Sequence, residues 1–114
     1  MARLSAEILI RVFDLQRQLL ERLDEATKTE FIIFEQFGET EDTIPELGEL
    51  QNLRERVDSY YSRFYTTLRR IYLSQPAASN ASLEILDRTI EEASAVSEAT
   101  AANIQEIKRN WDLL

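Results

Sequence analysis

The sequence predicts an all-α protein, an antiparallel up-down-up bundle of three long helices, and three observations carry that expectation. Turn-forming residues cluster in two short stretches, Gly38 to Pro45 and Ser74 to Asn80. The segments around them are rich in Ala, Leu, Glu, Arg and Gln, which lose little freedom in a helix. Within each segment the apolar residues return every three or four positions, the period of one helix face. Connections this short favour antiparallel neighbours, so a single domain over residues 1–114 is expected.

The first helix should run from about residue 5 to residue 37, with a stripe of Leu4, Ile8, Val12, Leu15, Leu19, Leu23, Ala26, Ile33 and Phe37 broken at Glu30. Gly38 follows where a left-handed cap ends many helices. The second helix should span about 44–74. Thr43 and Glu46 have the spacing of a capping box, Pro45 sits in the first turn, and Pro76 forbids extension. Its stripe is Leu47, Leu50, Leu53, Val57, Tyr60, Tyr61, Phe64, Leu68 and Ile71.

The third helix should span about 80–112, opening near Ser79 to Ser82. Leu83, Leu86, Ile90, Ala93, Ser97, Thr100, Ile104, Ile107, Trp111 and Leu114 hold a heptad register. Ser97 and Thr100 are the polar members, and their hydroxyls are expected to bond back to carbonyls of their own helix. Phe31, Phe34, Phe37, Tyr60, Tyr61, Phe64, Tyr65 and Tyr72 read mainly as core, packed opposite the small residues of the third helix.

The chain has no histidine and no cysteine. That excludes disulfides, a thiol nucleophile, Cys/His zinc sites and a Ser-His-Asp triad. An enzyme would have to rely on carboxylates, tyrosine, serine or arginine, and no pair of carboxylates is set by spacing into a pocket. No enzymatic activity, cofactor, metal site or small-molecule substrate is therefore expected. Apolar runs are far shorter than the roughly 20 residues that span a bilayer, and Glu7 interrupts any signal-peptide core, so a soluble cytoplasmic chain is expected.

The net charge of −8 is unevenly spread. Residues 24–49 hold Asp24, Glu25, Glu30, Glu35, Glu39, Glu41, Asp42, Glu46 and Glu49 against Lys28, a net −8 in that segment alone. The order of acids does not match a calcium-binding loop. With alternating helices, Glu39, Glu41 and Asp42 fall at one end of the bundle, while Arg3, Arg11, Arg63, Arg69 and Arg70 gather toward the other. A charged partner would be steered to an end. Nucleic acid, which needs a basic surface, is disfavoured by the overall balance.

The most informative feature is a surplus. On a helical wheel the apolar arc of the first helix covers about 180°, more than the core-facing stripe of about 100° requires. Leu9, Phe13, Leu20 and Phe31 form the excess edge, and Ile10 and Ile32 lie outside the arc. A wet apolar strip of this kind marks a partner surface. The expected function is a non-enzymatic interaction module (an adaptor, chaperone or regulatory subunit) that binds a protein partner or forms a homodimer. The alternative is a nucleic-acid-linked regulator that uses the arginine-rich end.

Overall fold

The computed structural model describes residues 4–114 and contains three helices, α1 (Ala6–Phe37), α2 (Thr43–Leu73) and α3 (Asn80–Asn110), with no strand among the described residues. They pack side by side in a rod 56 Å long and 20 by 17 Å across. Two core clusters fix the alternating direction. Val12, Leu15 and Leu19 of α1 meet Val57, Phe64 and Ile71 of α2 and Leu86 and Ala93 of α3. Toward the other end, Ala26 and Ile33 meet Leu50 and Leu53, and Ile104 and Ile107. The start of α1 thus lies beside the end of α2 and the start of α3, as an up-down-up bundle requires.

Each helix end has a chemical cause. The Ser5 hydroxyl accepts from the Ile8 N–H at 3.2 Å, and the Ser79 hydroxyl accepts from the Ser82 N–H at 3.1 Å. Both are N-caps that satisfy a backbone donor with no partner inside the helix. Gly38 ends α1 at φ 71° and ψ −170°, a conformation that is essentially glycine's alone. The chain after α3 turns through Asp112 at φ 58°, with Leu113 N–H on the Lys108 carbonyl at 2.8 Å and Asp112 N–H on the Arg109 carbonyl at 3.2 Å. That paired closure stops the helix at Asn110 and leaves Leu114 exposed, so the heptad register does not extend to Leu114.

The cap of α2 differs from the expected Thr43–Glu46 box. The Thr40 hydroxyl accepts from the N–H groups of Asp42 at 3.2 Å and Thr43 at 3.1 Å, while the Thr40 N–H donates to the Thr43 hydroxyl at 2.8 Å. Thr43 passes its own proton to the Gly38 carbonyl at 2.6 Å. The reciprocal box therefore sits three residues earlier, and Asp42 already has helical dihedrals. Glu41 and Asp42 fall in that first turn, where the positive end of the helix dipole favours them.

Three further expectations change. Thr29, not the Glu30 position, is the buried polar member of the α1 stripe, and its hydroxyl bonds back to the Glu25 carbonyl at 2.7 Å. Ser97 does not bond back to α3 but donates to Gln18 and accepts from Arg22 of α1, both at 3.4 Å. The aromatic set is mostly not core: Phe64 is buried, Tyr60 and Tyr61 are half-buried, and Phe31, Phe34, Phe37, Tyr65 and Tyr72 are exposed. Phe37 leans on Trp111 with ring centroids 5.0 Å apart, closing one end of the rod.

Candidate protein-interaction surface

A three-helix bundle has three seams, and the side chains along them differ. The α1–α3 seam is polar. Arg11 reaches Ser94 at 3.4 Å, and Arg22, Ser97 and Gln18 form a chain across it. The α2–α3 seam is roofed as well. Tyr60 donates to Glu92 at 2.9 Å, Arg63 reaches the same carboxylate at 3.5 Å, and the Arg63 guanidinium lies 4.6 Å over the Tyr60 ring.

The α1–α2 seam has no such roof. Among the described residues a single ion pair, Arg54 with Glu30 at 3.6 Å, crosses it. Beyond that pair, toward the first connection, the seam opens into a groove of about 600 Å³ lined by Thr27, Glu30, Phe31 and Phe34 of α1, by Glu39, and by Ile44, Leu47, Gly48 and Gln51 of α2. Phe31 is 63% exposed and Ile44 57%, so the large side chains of the groove are wet rather than packed. The Thr27 hydroxyl is spent on the Leu23 carbonyl at 2.7 Å. What remains is an apolar trough with an acidic margin.

Gly48 sits in the interior of α2, where glycine costs about 1 kcal/mol relative to alanine. Its φ is not positive, and a Cβ built there meets nothing within 4 Å. Neither the turn chemistry nor the packing of this chain asks for glycine at that position. The missing side chain leaves part of the groove open.

The apolar strip continues along α1 past the groove. At about 100° per residue, Leu9, Phe13, Leu20, Phe31 and Phe34 share an arc of about 60° on the α2 side of α1. Phe13 and Leu20 are exposed and Leu9 is half-buried. On α2, Tyr65 and Tyr72 prolong the strip at the end away from the groove, and Tyr65 is 59% exposed. The surface is thus a band running most of the length of the rod.

Ile10 and Ile32 are exposed but do not join it, since they fall about 60° and 100° beyond the Phe13–Phe31 edge, away from α2. Phe34 lies on the same α1 arc, whereas Ile44, Gly48 and Tyr65 of α2 are members that the wheel of the first helix does not reveal. They become visible only when the register of α1 against α2 is known.

The charged residues divide. Glu39 lines the groove, while Glu41 and Asp42 occupy the capped turn beside it. Arg63 lies well inside α2 and is held by Glu92 and Tyr60, so it belongs to the α2–α3 roof and not to an end patch. Arg69 lies 5.7 Å over the Tyr65 ring, and Arg70 is exposed in the last turn of α2. Arg3 lies outside the described residues.

No group of three or more acidic residues among the described residues is arranged to hold a metal ion. No helix among them is long and apolar enough to cross a membrane. No protein-family model, curated protein or solved structure matches the chain.

Proposed function

We propose that the chain is a non-enzymatic protein-interaction module that works as a homodimer formed through its α1–α2 seam. The observation that supports this is the contrast between seams: two are closed by polar side chains and the third carries Phe13, Leu20, Phe31, Phe34, Ile44 and Tyr65 in water. An exposed aromatic ring buries on the order of 150–250 Å² when fully covered, at roughly 25 cal/mol per Å². A strip of several such groups is a strong drive to association even after the entropy of docking is met. Adaptor, chaperone and regulatory-subunit roles all use a helical face in this way, and the dimer is the form in which such a face stays out of solvent.

Sedimentation equilibrium across the micromolar range tests the reading. Twice the 13.3 kDa chain mass is expected at tens of micromolar, with reversible dissociation on dilution. A single-chain mass at every concentration overturns it.

A further inference from the structure

The seam is not only apolar but patterned along its length, and the pattern selects one arrangement of two copies. Residues 24–49 carry a net −8, while residues 4–23 and 50–76 together hold eight bases and five acids, a net +3. The α1–α2 pair is therefore acidic at the groove end and basic at the other. The apolar groups are patterned as well. Phe31 and Gly48 line one groove and so lie at about the same level. Phe13 is 18 residues back along α1 and Tyr65 is 17 residues on along α2, which at 1.5 Å per residue is about 27 Å and about 26 Å in the same direction. Protruding Phe13 and Tyr65 thus share a level, as do the groove and its glycine.

We propose that two copies pack seam to seam with their ends inverted, so that α1 faces α1 and α2 faces α2, and each groove receives the Tyr65–Phe13 end of the other copy. This rests on the reading of the chain as a homodimer and adds the arrangement and its register. A two-fold axis crossing the seam midway, near Arg22 of α1 and Val57 of α2, brings the second copy's Tyr65 over Gly48 and its Phe13 over Phe31. The absent Cβ of Gly48 is then room for an aromatic ring, a use for the glycine that the single chain does not supply. The same axis brings Arg69 of one copy to the Glu35, Glu39 and Glu41 region of the other. The other two-fold arrangement, with ends aligned, stacks the two −8 segments on each other and is opposed by like-charge repulsion.

The chain has no cysteine, so every introduced thiol is unique. In the inverted dimer Gln51 of one copy faces Ser62 of the other, whereas in the aligned dimer Gln51 faces Thr27. All three are exposed. Mixtures of the Gln51→Cys variant with Ser62→Cys or with Thr27→Cys are treated with a short bismaleimide at a concentration where the mass is that of a dimer. Crosslinking in the Gln51/Ser62 mixture, with little in the Gln51/Thr27 mixture, is the expected result. Added salt should weaken this dimer several-fold, because the facing charges are opposite. The reverse crosslinking preference, or a dimer that tightens with salt, overturns the arrangement and leaves the homodimer standing. A single-chain mass with no crosslink in either mixture overturns both.

Discussion

Tyr60 of α2 and Glu92 of α3 are joined by a 2.9 Å hydrogen bond, and this contact closes one seam of the rod while the seam on the other side of α2 stays open. Tyr60 is half-buried and its hydroxyl sits at the rim, where a carboxylate can accept from it without being stripped of water. Arg63 stacks on the same ring and reaches the same carboxylate, so three side chains from two helices form one unit. Tyr60→Phe should destabilise the fold by about 1 kcal/mol, the scale of a net intramolecular hydrogen bond. Urea unfolding of Tyr60→Phe, Glu92→Ala and the double variant checks it. The double should lose less than the sum of the singles, because both remove the same bond.

The two glycines should respond to alanine with opposite signs. At neither position does a Cβ meet an atom within 4 Å, so sterics do not decide. Backbone conformation does. Gly38 at φ 71° and ψ −170° is in a region alanine enters only under strain, and Gly38→Ala should cost about 1–3 kcal/mol. Gly48 is helical, and Gly48→Ala should stabilise the single chain by about 1 kcal/mol. The same Gly48→Ala change narrows the groove and should weaken association. A variant with a higher melting temperature when dilute and a larger dimer dissociation constant separates the two effects.

The cap of α2 gives a second test of local chemistry. Thr40→Ala removes the acceptor for the Asp42 and Thr43 N–H groups and should cost about 1 kcal/mol. Asp42→Ala should cost much less, since the Asp42 side chain makes no cap hydrogen bond. Equal losses in a urea titration would show that Thr40 is not the cap.

Asp14 supplies a pH-dependent contribution with a definite sign. The hydrogen bond from Arg17 at 2.7 Å holds its carboxyl below the usual value of 3.8, against the opposing pull of partial burial, with Gln18 and Arg11 assisting. A carboxyl lowered in the folded state contributes stability that is present above its ordinary value and lost as pH falls through the lowered one. Side-chain carboxyl NMR titration should place Asp14 below its ordinary value of 3.8. Arg17→Ala should bring it back toward 3.8.

Helix number, extent and direction were legible in the sequence because each rests on a one-dimensional signal: a period of three to four residues, Ser5 and Ser79 as caps, Gly38 as a terminator. The α2 cap was misread because threonines stand at both 40 and 43, each with a cap-compatible residue three positions on, and only the backbone shows which one turns. Part of the exposed apolar band was legible for a similar reason. The arc of the first helix exposes Phe13, Leu20 and Phe31 as surplus to one core. Which seam they border depends on how α1 and α2 mesh, so Ile44, Gly48 and Tyr65 of α2 could not be attached to them, whereas the wheel alone already sets Ile10 and Ile32 outside the arc. Sequence groups Arg63 with the basic end, and the structure pairs it with Glu92, 29 residues away, a contact that no local pattern announces.

If the α1–α2 seam forms the proposed dimer, position along it, and not apolar exposure as such, governs association. Phe31 and Ile10 are matched for this purpose at 63% and 68% exposure, one in the groove and the other off the band. The measurement is the dimer dissociation constant of Phe31→Ser and of Ile10→Ser beside the unaltered chain, by sedimentation equilibrium, with folding verified by urea unfolding. Phe31→Ser should weaken the dimer about ten-fold or more, a loss of at least about 1.4 kcal/mol, while Ile10→Ser leaves it within about two-fold. Equal weakening by the two variants, or an effect of Ile10→Ser alone, would contradict the account.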